Sequence, residues 1–284
     1  MDQERSEAVS RVYKGCDYSF SCTHDLFNER IRIDEYTGNV KAMTNHINSL
    51  FTEEYTKCII KAKEGDVSKL LSLGLSYEGR IQHYFSGVDA HIMTKYRDNW
   101  RRNSQTWKAE DEILEGVLTK RRSELSGKPL MRPGRESDAA ALAELYKEVF
   151  AIYPTPMDEP AYIRKVMKQD TLFYVLEENG RIISASSAEV NPKYKNAEIT
   201  DCATLPKFRK GGTMRHLIIQ LEKKLLEEEI YYAYSIARSL SFGMNAVFQQ
   251  LNYEYGGRLI NNVKIYQDWE NMNLWSKSLT CGAE

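Results

Sequence analysis

The sequence predicts an α/β protein of the α+β kind. Three observations carry this prediction. Over residues 129–280 the hydrophobic pattern reads β-α-α-β-β-β-α-β-α-β, with strands and helices interspersed along the chain. Within that order, residues 196–226 run from a strand through a glycine-bearing turn into an amphipathic helix. Finally, 284 residues with 42% hydrophobic and 28% charged side chains suffice for a buried core, in one large or two ordinary domains.

Residues 1–25 are polar and read as partly irregular. Ile31, Ile33 and Tyr36 alternate with Arg32, Asp34 and Glu35, a strand pattern. Val40, Met43, Ile47 and Leu50 give residues 38–53 a helical period, and Cys58 to Ala62 reads as a strand. Asp66 is placed as the N-cap of the short helix DVSKLLSLG, which Gly74 ends. Strands follow at 79–86 and 88–96 around Ser86-Gly87, then a charged helix over 108–125. The order β-α-β-α-β-β resembles the opening of the second half. Residues 1–128 are therefore read as an N-terminal α+β domain, either a degenerate relative of the second domain or an unrelated one. Packing, dimerisation and covering the substrate are its candidate roles.

Ser126-Gly127-Lys128-Pro129 is the linker, and residues 129–284 form the second domain. Leu130 to Pro133 is its first strand, and Asp138 is placed as cap of the helix AAALAELYKEVF, which Pro154 and Pro156 break. A helix near 158–168 precedes strands Leu172–Leu176 and Ile182–Val190, joined by the hairpin turn Glu178-Asn179-Gly180. After the 196–226 segment come a strand at Tyr232–Ala237 and the helix GMNAVFQQL, capped by Ser241. Residues 254–260 and 262–267 read as two strands around Asn261-Asn262, and Asn271–Leu279 adds a last one.

The segment NAEITDCATLPKFRKGGTMRHLIIQLEKKLL carries the chemistry. Its turn, Lys207 to Gly212, leaves backbone N–H groups free at a helix N-terminus, where the helix dipole adds positive charge. Arg209, Lys210 and Arg215 add formal charge, and the glycines admit a ligand close to the backbone. The implied guest is a phosphate or pyrophosphate. Neither GxxxxGK[ST] nor GxGxxG occurs. A net charge of −1 gives no electrostatic case for nucleic acid or an anionic membrane. The five cysteines are scattered without a CxxC pair, which fits free thiols in a reducing cytoplasm, and the histidines show no metal-ligand spacing. The N-terminal stretch lacks the apolar core of a signal peptide.

Arg209-x-x-Gly212 after a strand ending in Leu-Pro resembles the R-x-x-G-x-G/A pyrophosphate loop of the GNAT acetyltransferases, with Met214 at the sixth position where Gly or Ala is usual. The strand Ala197-Glu198-Ile199 with Cys202-Ala203 is similar to the matching strand of histone-type members. AEITDCATLPKFRKGG, YSIARSLSFGMN, QLNYEYGGRLINN and MNLWSKSL together resemble the β-lysine N-acetyltransferases of that family. The resemblance implies a GNAT acyl-CoA N-acyltransferase fold with a mixed, splayed central sheet, in which strands 196–204 and 232–238 part to admit the pantetheine arm. It also implies acetyl-CoA as donor without a metal, and β-lysine as acceptor, giving the osmolyte N6-acetyl-β-lysine.

The same resemblance implies roles for particular residues. Glu198 stands where relatives carry the general base, and strand alternation puts Glu198, Thr200 and Cys202 on one face with Asp201 on the other. Backbone N–H groups around Cys202 to Thr204 would polarise the thioester oxygen, with Cys202 a structural thiol rather than a nucleophile. The general-acid tyrosine of many relatives falls on Phe248, so either Tyr253 or Tyr255 serves instead or the thiolate leaves unaided. Ala203, Thr204, Leu205, Arg209, Lys210, Gly211, Gly212, Thr213, Met214, Ser241, Asn245 and Phe248 are the expected coenzyme contacts. For β-lysine, Arg238 is the expected carboxylate partner, Glu189 or Asp201 holds the spare ammonium, and Asn261 and Asn262 add neutral hydrogen bonds. Two other readings stay open: acetylation of another amine (lysine, a polyamine or a protein lysine), and a non-catalytic acyl-CoA sensor. The partner is a small amine rather than nucleic acid or membrane, and a homodimer is left open.

Overall fold

The computed structural model describes residues 8–125, 127, 129–150, 155–209, 211–265 and 268–280. Two linker positions (126 and 128), Pro154, Lys210 and Cys281 fall outside them. The N-terminal half comprises β1 (Val9–Lys14), β2 (Tyr18–Asp25), β3 (Arg30–Gly38), α1 (Val40–Leu50), β4 (Lys57–Ala62), α2 (Val67–Ser72), β5 (Ser76–Phe85) and β6 (Val88–Tyr96). The helices α3 (Asn99–Arg102) and α4 (Trp107–Leu118) lead out of it. The C-terminal half comprises β7 (Met131–Pro133), α5 (Ala139–Val149), α6 (Pro160–Met167), β8 (Thr171–Glu178), β9 (Arg181–Asn191) and β10 (Asn196–Thr204). It continues with α7 (Thr213–Glu227), β11 (Tyr232–Arg238), α8 (Phe242–Gln250), β12 (Glu254–Ile265) and β13 (Asp268–Ser278). No helix among the described residues is long and apolar enough to cross a membrane.

All the strands join one sheet, in the order β1-β2-β3-β4-β6-β5-β12-β13-β11-β10-β9-β8-β7. Its two ends repeat one topology. β1-β2-β3 is an antiparallel meander, α1 crosses over to β4 in parallel with β3, and the β5–β6 hairpin docks antiparallel on β4. β8-β9-β10, α7, β11 and the β12–β13 hairpin do the same in the same order. The halves meet where β5 pairs with β12, at Gly79 opposite Gly257. A Cβ on Gly257 (φ +138°) would lie 2.4 Å from the Glu78 carbonyl oxygen and 2.6 Å from the Gly79 Cα. Only glycine permits so close a backbone approach.

Several expectations need correction. Residues 9–14 and 18–25 form a regular hairpin rather than irregular chain: Phe20 and Cys22 are fully buried while serines and threonines face out. Asp66 does not cap α2. It is already helical, with φ −108° and ψ −7°, and its carboxylate accepts from Tyr36 Oη and Lys69 Nζ, both at 3.0 Å. Asp138 likewise gives α5 no cap; it binds Arg132 at 2.6 and 3.0 Å and accepts the Arg135 N–H at 2.8 Å. The helix expected over 108–125 ends at Leu118, and the two strands around Asn261 are one strand, β12, with a register shift between Leu259 and Val263 and φ +43° at Asn261. Ser241 does cap α8, accepting the Met244 N–H.

Helices cover the sheet according to their apolar faces. α1 and α2 bury Met43, Ile47 and Leu70 against Ile31, Ile33 and Ile60. α7 and α8 bury Leu217, Leu221 and Phe248 against Ile199 and Trp275, and Val117 of α4 joins them. α5 and α6 cover Phe173, Ala185 and Ala203 on the other face. A further core along the seam draws Ile59, Ile81 and Ile92 from one half and Tyr234, Leu259 and Leu274 from the other. Gly257→Ala should therefore destabilise the whole chain by about 2 kcal/mol or more, through positive-φ strain plus overlap at the seam. A shift in the urea midpoint, with no separate transition for either half, is the expected readout.

Candidate active site

One extra residue in β10 shapes the site. β10 pairs with β9 in register from Asn196 to Thr200 and again from Ala203, and Asp201 takes up the slack with φ +48°. Such a bulge inverts the alternation of side chains beyond it. Glu198 and Thr200 stand opposite Glu189 and Ser187 on the α5 face. Asp201 joins that face, since its carboxylate accepts the Ser187 hydroxyl at 2.6 Å. Cys202 turns to the α7–α8 face, where its sulfur lies 3.2 Å from Ser186 Oγ. The expected shared face of Glu198, Thr200 and Cys202, with Asp201 behind, is thus corrected. Beyond Glu198, paired with Tyr234, no further register is kept between β10 and β11. The two strands part there.

Two cavities meet at this gap. A groove of about 520 Å³ runs along Thr204, Arg209, Gly212, Thr213, Met214 and Ser241 to Cys202, Arg238 and Met244. At its outer end Gly211 and Gly212 adopt φ +90° and +76°, and α7 starts at Thr213 with no side-chain cap. The N–H groups of Gly211, Gly212, Thr213 and Met214 find no acceptor among the described residues. An open helix N-terminus with free amides is what a pyrophosphate needs. Met214 does not loosen the turn: the left-handed residues are the two glycines, and Met214 is already helical with its side chain buried toward Leu217. Arg209 folds back, its Nε donating to the Thr204 carbonyl at 3.1 Å, so it ties the loop to the strand end. Gly211 and Arg215 line an adjoining recess with Lys120.

The second cavity, about 290 Å³, lies across the seam and shares Cys202, Arg238, Met244 and Phe150 with the groove. Glu189, Glu198, Thr200 and Asp201 line it from the C-terminal half; Arg30, Arg32, Asp34 and Lys61 line it from the N-terminal half. Glu189 is pushed up from 4.5 to about 8, by burial first and then by the Glu198 and Asp201 charges; its accessible surface opens into the cavity. On the other side burial would raise Asp34, but Lys61 at 2.9 Å and Arg32 overcome it and hold the carboxyl well below the usual range.

The other expected residues take varied positions. Arg238 stands where groove and cavity meet, but its guanidinium is held in a fork by Glu270 at 2.7 and 2.6 Å. Asn245 lines neither space. Its side chain donates to the Arg238 and Ser241 carbonyls at 2.9 and 2.7 Å and accepts from Asn273 and Trp275 at 2.9 and 2.8 Å. The SFGMN and MNLW segments thereby lock α8 to β11 and β13. Ala203 and Leu205 point into the α5 core, while Thr204 bonds Ser184 at 2.7 Å. Phe248 lines the seam cavity. Tyr253 stacks edge-on to Phe248 at 5.1 Å in the α7–α8 core, beside Glu222, and burial pushes its hydroxyl well above the usual range. Asn261 donates to the carbonyls of Arg101 and Asn103 at 3.1 and 3.2 Å, away from the cavity; its neighbour Asn262 lines it instead. Burial pushes the Cys202 thiol up to about 12, which makes it a poor nucleophile. The lining from β3 and β4 was not foreseen. The alternation of Arg30, Arg32 and Asp34 with Ile31 and Ile33 was the available signal, since it sets a charged row against a buried one.

A mixed sheet parted between two parallel strands, with an open glycine-started helix at the mouth of the gap, defines an acyltransferase of the N-acetyltransferase class. The chain belongs to the GNAT acetyltransferase family, whose members use acetyl-CoA. Residues 139–253 match the Acetyltransferase (GNAT) family. The chain is 42% identical to N-acetyltransferase YodP of Bacillus subtilis, over 90% of this chain and 94% of that one. It is 35% identical to a beta-lysine N(6)-acetyltransferase of Methanosarcina mazei, over 87% and 98%. It is also 33% identical to a protein of that name from Methanococcus maripaludis, over 88% and 93%.

The raised Glu189 carboxyl has a signed consequence. With a folded pKa above the ordinary 4.5, wild type loses stability relative to a non-titrating side chain as pH climbs from 4.5 to about 8, and no more beyond. Glu189→Gln should melt with wild type near pH 4.5, at progressively higher temperature through that window, and with a constant advantage above it. Melting curves across pH test this.

Proposed function

We propose that the protein transfers acetyl from acetyl-CoA to the side-chain amine of β-lysine, giving N6-acetyl-β-lysine. The observation that carries this reading is the seam cavity, with Glu189, Glu198 and Asp201 on one wall, Arg30, Arg32 and Lys61 around Asp34 on the other, and an opening into the groove beside Cys202. β-Lysine carries two ammonium groups and a carboxylate, so it needs both walls. A polyamine would find Arg30, Arg32 and Lys61 repulsive. The names of the two archaeal relatives support the same substrate. The product has one ammonium and one carboxylate, a net charge of zero that suits a compatible solute.

The groove fits the coenzyme: free amides at Gly211 to Met214 suit its diphosphate, and the gap between β10 and β11 suits its arm. Acetyl-CoA supplies an acetyl group activated as a thioester. The chain's own residues handle the amine. An alkylammonium is inert until it loses a proton, and its ordinary pKa is about 10.4. Glu198 lines the cavity where the strands part and is the acceptor of that proton, directly or through one water. Glu189, pushed up by burial and then by Glu198 and Asp201, holds a proton in the empty site and releases it when the cationic substrate enters. Asp201, fixed by Ser187, adds negative charge that draws the ammonium to this wall. Glu198→Gln should lower kcat at neutral pH roughly 10²–10⁴-fold and leave coenzyme affinity unchanged, as read by steady-state kinetics and calorimetric titration. An unaltered kcat would remove Glu198 as the base.

A further inference from the structure

We infer that the N-terminal half is the substrate-recognition half, and that Arg32 anchors the carboxylate of the amine substrate. The inference rests on the acetyl-transfer reading above and names the residue that makes an amino acid, rather than a plain diamine, the acceptor.

The cations of the seam cavity differ in how fully they are already used. Arg30 donates to Asp25 at 2.8 Å and to the Asn262 carbonyl at 2.9 Å. Lys61 is shared between Asp34 and Tyr84 Oη, both at 2.9 Å, and lies 4.5 Å from the Tyr84 ring centroid. Arg238 is closed in its fork with Glu270. Arg32 has Asp34 at 3.5 Å, a long contact, and its buried Nε finds no acceptor among the described residues. Its side chain keeps 39% of its surface accessible, on the cavity side. A planar fork with open donors, facing a cavity, is what a carboxylate fits bidentately. Asn262, only 3% exposed, lines the same cavity with its Oδ1 unpartnered. With Asp34 it offers the acceptors that an ammonium near that carboxylate requires.

The direction of the cavity agrees. Arg32 on β3 and Glu198 on β10 occupy corresponding strands of the two repeats, so the cationic and acidic walls face each other across the seam. A chain with a carboxylate and amine at one end and a second amine at the other lies across it, carboxylate on Arg32 and distal amine at Glu198 beside the groove. Discrimination then comes from the N-terminal half and proton transfer from the C-terminal half.

The test compares β-lysine with 1,4-diaminopentane, the same molecule without its carboxylate, using the full-length enzyme and acetyl-CoA. Wild type is expected to prefer β-lysine in kcat/KM by roughly 10- to 100-fold, the worth of a charged hydrogen-bonded pair. Arg32→Gln should lose that preference, chiefly through a raised KM for β-lysine, while its kcat/KM for 1,4-diaminopentane holds or rises, because a cation that repels the diamine is gone. Arg32→Lys should recover part of the preference, having the charge without the fork. Retained diamine turnover also reports that the variant is folded. An equal loss on both amines, or unchanged β-lysine kinetics, overturns the role of Arg32 and leaves the acetyl-transfer reading standing. Wild type that acetylates neither amine sinks that reading and this inference with it.

Discussion

The structure depends on opposite charges held apart across one seam. Glu189, Glu198 and Asp201 crowd the β9–β10 side, where burial and its two acidic neighbours push the Glu189 carboxyl up. Unopposed, such a cluster would unfold its surroundings or stay protonated. What opposes it is the row Arg30, Arg32 and Lys61 on β3 and β4, and both Arg32 and Lys61 are among the influences that lower Glu189. The cluster is therefore tolerable only while β5 and β12 remain joined. The glycine pair at that joint matters to the site although it lies outside both cavities, because any Cβ there pushes the two charged walls apart.

The repeated topology shows what separates an open helix start from a closed one. The first repeat passes from β3 to α1 through Gly38 and Asn39, and the Asn39 side chain accepts the Ala42 N–H at 3.1 Å. That helix start is occupied by its own residue. The second repeat passes from β10 to α7 through Gly211 and Gly212 with no capping side chain, and the amides there find no acceptor among the described residues. One fold thus yields a closed helix end or an anion site, depending on whether the capping position carries an acceptor. The bulge at Asp201 acts similarly on β10: a single residue with φ +48° separates the acidic wall from Cys202 and the groove.

Much of this could be read from the chain. The Arg209-x-x-Gly212 turn, the strand before it and the α7 period are local features, and local features survive into the fold. So did Ser241 as a cap. Readings failed where tertiary partners compete with local rules. Asp66 and Asp138 have the right chemistry for caps, but Tyr36, Lys69 and Arg132 claim their carboxylates. Arg238 suits a substrate carboxylate until Glu270, distant in sequence, takes its fork. Asn245 looked like a coenzyme contact because it sits in a distinctive motif, yet the motif is distinctive because Asn245 bonds two other strand and loop segments at once. The alternation in β10 was misread because a bulge has no signature in residue type here. The N-terminal contribution was legible only as a charged row on β3 and a candidate role in covering the substrate, because no pattern in residues 1–128 says which strand edge they will join.

Dividing the site between repeats also separates two kinds of binding energy. A contact between Arg32 and a remote carboxylate is the same before and during reaction, so it sets affinity and choice of substrate. On the proposed reading the Glu198 contact changes as the proton leaves the amine, so it acts on rate. Residues of the first kind can vary without touching the chemistry, provided the total charge of the cavity stays balanced. Replacing Arg32 alone removes a cation facing the acidic wall and alters Glu189 as well as the substrate. A chain that accepts a different amine should therefore differ on β3 and on β9 together, whereas Gly212 in the groove and Gly211 in the recess beside it, proposed to meet only the coenzyme, have no reason to change with either.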